Sequence, residues 1–241
     1  GTENTLYFSI DDGENWQEMM SNLPHTPMYW IDIQEHFNDL VLGTYGRGIW
    51  ILDDISPFQQ MNKSIIEKDM HLFNIKSSYR FHNVTSSLQM FPEASTGSDP
   101  PSGASINYWL KEKKEVEIII TNSDNDTIKT IKEDGVKGIN RVWWNFQGES
   151  TDEIILRTKP LYAEWVSLDK NRERKVPFEL SIMSPPGIYN VHLKLGDNVM
   201  TKKLEVIKDP HSEGTIEDIT LQHDLMKKIY DDINVTANYI N

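Results

Sequence analysis

Regular alternation of apolar and polar positions predicts β-strands in the second half of the chain. The alternating runs are Val116–Ile120, Tyr189–Leu195 and Leu204–Val206. An apolar residue at every second position leaves one strand face polar, which is typical of antiparallel sheets that pack on a core through the other face. Gly196-Asp197-Asn198 supplies a tight turn between the last two runs. These residues predict an antiparallel β-sandwich.

Shorter apolar runs occupy the first 54 residues. They are Leu6–Phe8, Tyr29–Ile33, Leu40–Gly43 and Ile49–Leu52. Gly, Asn, Asp and Pro lie between the runs, so the pattern predicts short strands joined by turns.

A helix is predicted after these strands. Ser56 followed by Pro57 is a typical helix start, with Ser56 as the N-cap. We expect the helix to continue through Lys63–Lys68 as a linker. Residues 91–104 are rich in Pro, Gly and Ser, and this composition predicts a segment that crosses between structural units.

The C-terminal tail has helical periodicity. Thr215 and Asp218 have the spacing of a capping box, with Asp in place of the usual Glu or Gln. Apolar residues then recur every three or four positions and predict one apolar stripe, formed by Leu221, Leu225, Ile229, Ile233, Ala237 and Ile240. Such a helix either docks on the sandwich or begins a longer helical segment.

Composition excludes several function classes. The 241 residues carry a formal net charge of −13, which opposes binding to nucleic-acid phosphates and to anionic lipid head groups. Without cysteine, the chain has no disulfides, thiolate metal sites or cysteine nucleophiles. No apolar run approaches the length of a membrane helix, so membrane insertion is not expected. The sequence begins without Met inside a strand–turn–strand pattern, and we expect it to be a piece of a longer protein.

A turn motif follows the first apolar run. Ser9, Asp11, Gly13 and Trp16 form the pattern Ser-x-Asp-x-Gly-x-x-Trp. Asp11 can accept hydrogen bonds from backbone N–H groups of the turn, Gly13 can take a positive φ, and Trp16 can fold back over the loop. This spacing resembles the Asp-box of sialidase-like and sortilin-like β-propellers. The resemblance implies a structural role on the outer rim, away from a central pocket.

A second motif carries the same resemblance. The segment Gly43–Trp50, followed by Ile51-Leu52-Asp53-Asp54, is similar to the last blade of bacterial sortilin-like propellers. On that resemblance, residues 6–22 are the outer half of one blade and residues 28–52 are the inner strands of the next. Upstream blades of the same parent protein are then expected partners.

The middle of the chain resembles another family. Gly138–Asn145, together with Pro185–Tyr189, is similar to the immunoglobulin-like sandwiches of flagellar-hook-cap-like proteins, although Asn145 replaces the usual Asp. A long insertion near residues 148–182 separates the two motifs. The predicted fold is therefore mainly β: partial propeller blades (1–54), a linker helix and crossing segment (55–104), an immunoglobulin-like antiparallel β-sandwich (105–209) and a C-terminal α-helix (210–241).

The sequence identifies no catalytic residues, no cofactor motif and no metal site. Asp53 and Asp54 could be catalytic or metal-binding, or could anchor the helix start. Tyr45, Arg47 and Asp32 could face a pocket or pack in turns. Trp143 and Trp144 are adjacent in a strand, so one should enter the core and the other could contact a ligand. Turn carboxylates could hold calcium at Asp124-Asn125-Asp126 or Asp11-Asp12, although ordinary turns explain them as well.

Two functions follow. The first is a non-catalytic accessory or interaction module of a secreted, periplasmic or cell-surface protein, which binds protein or glycan. The alternative is the C-terminal part of a glycoside-hydrolase-like enzyme of the sialidase type, whose active site lies mainly upstream. A purely structural brace for the closing blade is a third interpretation.

Overall fold

The computed structural model describes residues 1–19, 22–81, 101–157 and 179–241, with positions 161, 162, 165 and 167 and the backbone of 174–175. The fold is mainly β with a C-terminal helix, as predicted. A crossing segment was predicted at residues 91–104, and residues 91–100 of it lie outside the described residues.

The N-terminal region contains two small antiparallel sheets. A hairpin is formed by β1 (Leu6–Phe8) and β2 (Gln17–Met19). A three-stranded meander follows, formed by β3 (Met28–Gln34), β4 (Asp39–Thr44) and β5 (Ile49–Leu52).

Two short helices lie where one linker helix was predicted, namely α1 (Ser56–Gln60) and α2 (Lys63–Ile66). The N-cap of α1 is Ile55, and no side chain caps the helix, so the prediction of Ser56 as N-cap was wrong. Ser56 is instead the first helical residue, and its buried hydroxyl has no hydrogen-bond partner among the described residues. Asn62 caps α2 by accepting a hydrogen bond from the Ile65 N–H at 3.2 Å.

Two sheets pack together to form the sandwich. The five-stranded sheet has the order β10-β9-β16-β17-β7, and the three-stranded sheet has the order β11-β8-β6. In chain order, their strands are β6 (Met70–Leu72), β7 (Ser78–Arg80), β8 (Ala104–Leu110), β9 (Lys114–Thr121), β10 (Thr127–Gly135), β11 (Gly138–Trp144), β16 (Gly187–Leu195) and β17 (Asn198–Lys208). Neighbouring strands run antiparallel except β7, which pairs parallel with β17. Strands β6 and β7 fall within the predicted linker region, so the sandwich takes strands from before residue 105.

The inner faces of the two sheets form one hydrophobic core. From the three-stranded sheet, Ile106 and Leu110 are completely buried, and from the five-stranded sheet, Ile118, Val191 and Leu193 are completely buried. Aromatic rings close one end of this core, with Trp144 in edge contacts to Phe146 and Tyr189 at 5.4 and 5.2 Å. The alternation seen in the sequence therefore corresponds to the inward-facing positions.

The edges of the predicted insertion form two small ladders. Strand β12 (Gln147–Ser150) pairs with β15 (Ser181–Met183), and β13 (Ile155–Leu156) pairs with β14 (Arg174–Lys175).

The C-terminal helix α3 spans Ile216–Ile240 and begins with the predicted capping box of Thr215 and Asp218. It docks through Ile219 and Ala237, which are buried, and through Tyr230 and Asn234, which hydrogen-bond Ser150 O and Asp152 N.

The predicted single apolar stripe of α3 was wrong. Leu221, Leu225 and Ile229 are 71%, 58% and 43% exposed, whereas Ala237 is buried. A residue every four positions moves about 40° around the helix per step, because a turn has about 3.6 residues. The row therefore begins on the solvent side and is buried at Ala237, while its last member, Ile240, is 42% exposed.

Replacing Leu193 with Ala should destabilise the sandwich by about 2–5 kcal/mol, because the change leaves a cavity between the two sheets. The free energy of unfolding in urea measures the effect. Val199→Ala, at a 55% exposed position of the neighbouring strand, should cost less than about 0.5 kcal/mol. Equal losses in the two variants would contradict this assignment of the core.

Candidate interaction surface

The turn between β1 and β2 has the local geometry predicted from its residues. Asp11 Oδ1 accepts hydrogen bonds from the Asn15 backbone N–H and the Ser9 hydroxyl, both at 2.9 Å. Asp11 Oδ2 accepts a further bond from the Asn15 side-chain amide at 2.7 Å. Gly13 has a φ of +91°, and the Trp16 ring lies over it. The hydrogen bonds that close the turn come from its own residues, Ser9, Asp11 and Asn15.

The charge of Asp11 is stabilised inside this turn. Hydrogen bonds from Asn15, first from its side chain and then from its backbone, lower the pKa of Asp11 from 3.8 to about 2. Lys63 of α2 adds a weaker attraction at 3.8 Å. Asp11 is therefore an ionised structural acceptor at neutral pH, and not a proton donor.

One face of the meander, which we call the open face, is apolar and exposed. Cross-strand register places Trp30, Val41, Ile49 and Ile51 together on it, with the exposed carboxylate of Asp32 as the polar member opposite Val41. Trp30, Ile49 and Ile51 are 70%, 73% and 60% exposed. Trp30 lies against Gly43, where an added Cβ would come within 3.1 Å of the Trp30 Cβ. The glycine thus avoids a close contact with the Trp30 side chain at its Cβ.

The opposite face of the meander is also apolar. There Leu42 is buried, while Ile31 and Ile33 remain 44% and 43% exposed. A sheet with apolar residues on both faces is typical of a layer that packs on both sides.

An aromatic corner lies at one end of the meander. The rings of Tyr29 and Tyr45 meet edge to face at 5.6 Å, and both side chains are largely exposed. Arg47 lies in the following turn, where its carbonyl accepts a hydrogen bond from Trp50 Nε1 at 3.0 Å. Asp32, on the strand beside the corner, is exposed, and its carboxylate accepts a bond from the Ile33 N–H.

The two adjacent tryptophans of β11 point to opposite faces. Trp144 is 1% exposed and donates from Nε1 to Gln147 O at 2.9 Å, so it belongs to the core and is closed to a ligand. Trp143 lies on the outer face, is half-buried, and has the Arg141 guanidinium 6.0 Å from its ring centroid. The open face of the meander exposes more aromatic surface than Trp143 does.

Asp54 connects the N-terminal region to the sandwich. Its buried carboxylate accepts hydrogen bonds from Ser105 Oγ at 2.9 Å and Asn107 Nδ2 at 3.1 Å, both on the outer face of β8. Arg141 donates to Asp54 O at 2.7 Å and to Asn107 Oδ1 at 2.8 Å. Asp39 accepts a bond from the Asp54 N–H. We call this network the Asp54 junction.

Sequence reasoning did not find the Asp54 junction. Ser105 and Asn107 alternate with buried apolar residues along β8, which is the only local signal that this outer face is covered. Beside the junction, burial and then the nearby Asp39 charge raise the pKa of Asp53, against a weaker opposing effect of Arg141. Asp54 Oδ1 accepts a hydrogen bond from the Ser56 N–H at 3.2 Å, so this carboxylate anchors the start of α1, which was the structural alternative considered for the pair.

Two adjoining cavities lie at the other end of the sandwich, between α3 and the sheets. They have volumes of about 410 and 260 Å³ and share Arg80 and Gln222 in their walls. Neither cavity is lined by Asp32, Tyr45 or Arg47.

The structure also bears on metals and membranes. In the part of the chain that the structure describes, no three His, Asp or Glu side chains are grouped to hold a metal ion. At Asp124-Asn125-Asp126, the side chain of Asn122 accepts hydrogen bonds from the Asp124 and Asp126 N–H groups and closes an ordinary turn.

Among the described helices, none combines the length and apolarity needed to cross a bilayer.

Comparison of the chain with protein-family models, curated proteins and solved structures gives no match. The resemblance to Asp-box propellers therefore stays a prediction that rests on the residues quoted for it.

Replacing Asp54 with Ala should cost about 2–4 kcal/mol of folding stability, because the buried donors of Ser105 and Asn107 lose the acceptor that they share. Urea unfolding, with proteolysis of residues 1–54 as a second probe, measures this loss. Asp12→Ala is the matched control, since Asp12 and Asp54 both have positive φ, +54° and +49°, but Asp12 is exposed. The control should lose less than about 1 kcal/mol. Equal losses of stability in the two variants would show that the positive φ of the position accounts for the effect, and not the hydrogen bonds of Asp54.

The Asp11 carboxyl should titrate near pH 2 in the folded protein. Because its pKa is lower in the folded state than in the unfolded state, its charge stabilises the fold above about pH 4, and this contribution is lost as the pH falls towards about 2. Carboxyl ¹³C NMR gives the pKa directly. In Asn15→Ala the pKa should move back up, and an unchanged value would refute the role assigned to the Asn15 amide.

Proposed function

We propose that this chain is a non-catalytic interaction module of a secreted, periplasmic or cell-surface protein. Its N-terminal β region would be completed by another β-sheet, as a blade of an Asp-box propeller is. The observation that carries the proposal is the open face of Trp30, Val41, Ile49 and Ile51. Large apolar residues exposed side by side usually mark a protein contact surface.

The chemistry of the open face favours a protein over a glycan. Val41, Ile49 and Ile51 offer no hydrogen bond to a sugar hydroxyl, and the register leaves Asp32, opposite Val41, as the polar side chain beside them. An apolar protein surface needs no such bond and would bury the three side chains together. Trp30 adds a large flat anchor of the residue type that often dominates binding energy.

The acidic composition of the N-terminal region, with Asp32 on the open face itself, adds to this description of the partner. Residues 1–54 contain ten acidic residues, at positions 3, 11, 12, 14, 18, 32, 35, 39, 53 and 54, and one basic residue, Arg47. A partner surface with Lys or Arg around an apolar centre would complement this charge, whereas a second copy of the same face would be repelled.

The Tyr29–Tyr45 corner supports glycan binding as a second candidate. Two exposed aromatic rings beside an arginine could stack on a sugar ring and bind an acidic substituent. The glycoside-hydrolase alternative needs carboxylates gathered across a cleft. Asp32 is exposed on the meander and lines neither of the cavities described above, so the interaction module is the better supported proposal.

A photo-crosslinking amino acid at position 30 tests the proposal in the protein's native host. We expect a cross-link to a β-sheet segment that carries Ser-x-Asp-x-Gly-x-x-Trp turns, in the same polypeptide or in another, with mass spectrometry identifying the peptide. Position 165 is the matched control, because Trp165 is an 83% exposed tryptophan outside the meander.

Two outcomes would contradict the proposal. One is a cross-link at position 30 no stronger than at position 165, or to a segment without such turns. The other is turnover of a chromogenic glycoside panel by the purified chain, which would make the chain itself an enzyme. Retention on a glycan array that is lost in Tyr45→Ala would instead favour the aromatic corner as the binding site.

A further inference from the structure

The larger cavity lies where the ends of β7 and β17 meet the first turns of α3. Arg80 and Lys208 are register partners on these two parallel strands. Paired residues of neighbouring strands project from the same sheet face, so both side chains are directed to the same side. Both also line the cavity of about 410 Å³, together with Ser212 and Gln222.

Arg80 has no carboxylate partner among the described residues, and the titratable group that interacts with it there is the Tyr189 phenol. Its Nε is completely buried and makes no hydrogen bond there, and Arg80 forms no ion pair within that part of the chain. A guanidinium has five N–H donors and remains charged in proteins. Leaving such donors unpaired in a half-buried position is costly unless another acceptor binds there.

The acidic residues of this cavity already serve other groups. Asp218 accepts hydrogen bonds from the backbone and hydroxyl of Thr215, at 3.0 and 2.8 Å, as part of the α3 cap. Asp209 accepts a bond from the His211 N–H at 2.8 Å. The Lys208 ammonium donates to the carbonyls of Asp209 and Ser212, which uses two of its three N–H groups.

We propose that this cavity binds a small organic anion through an oxyanion group, a carboxylate or a phosphate. The planar fork of Arg80 would donate two parallel hydrogen bonds to the oxyanion, and Lys208 would supply a third donor. The body of the ligand would extend into the adjoining cavity of about 260 Å³, where Met183 and Met226 offer apolar contacts. This site is independent of the open face and of the function proposed for it.

Calorimetric titration with three probes tests the site: sodium phosphate, sodium acetate and sodium hexanoate. Phosphate binding would identify a phosphate site, and tighter binding of hexanoate than of acetate would identify a carboxylate site that uses the second cavity. In Arg80→Gln, affinity for the bound probe should fall at least about tenfold, because charge-assisted hydrogen bonds are lost. Lys113→Gln, which removes one positive charge from an exposed turn, should leave the affinity unchanged.

Arg80→Gln should keep the fold, since Arg80 makes no hydrogen bond among the described residues, and its amide NMR spectrum checks this. If the variant does not fold, the Nε–H resonance of Arg80 in the unmodified protein decides the question. That resonance should shift on addition of the bound probe. Failure of all three probes to bind, equal affinity in Arg80→Gln, or an unmoved Arg80 resonance would each overturn the proposal.

Discussion

The buried carboxylate of Asp54 is the interaction on which the arrangement of this protein depends. The buried oxygens of this side chain have hydrogen-bond partners, because Ser105 and Asn107 donate to Oδ2 from the outer face of β8 and the Ser56 N–H donates to Oδ1. The inner face of the same strand is part of the sandwich core. Strand β8 therefore packs on the core through one face and bonds the segment that follows the meander through the other, and this junction links the meander to the sandwich.

Much of the fold could be predicted because the alternation of apolar and polar residues is a local pattern that extends over whole strands. The run Tyr189–Leu195 alternates over a whole strand, so its inward residues could be read directly. Strands β6 and β7 have three residues each, too few to show a period, and pairing with distant strands determines them. In α3, Tyr230 and Asn234 give the docking face polar bonds, which apolar spacing alone does not reveal.

The same difference between local and long-range contacts decides which parts of the candidate interaction surface could be predicted. All partners of Asp11 in its turn lie within four residues, so its geometry could be deduced from the motif. Arg141 and Asp54 are 87 residues apart, and nothing in the sequence joins them. Exposure of Trp30 could not be predicted either, because its strand has the same apolar pattern as a covered one. Contacts between residues far apart in the chain leave no local pattern, so they could not be predicted from a single sequence.

Strand β7 has a consequence for how the chain folds during synthesis. It pairs with β17, and the nearby bond from Ser77 to Glu205 spans 128 positions. The ribosome therefore releases β7 long before β17, the strand with which it pairs, exists. Closing so large a loop is slow, so the five-stranded sheet acquires this edge last. Until then β17 has an unpaired edge, and the newly made chain is most open to wrong pairing at that stage.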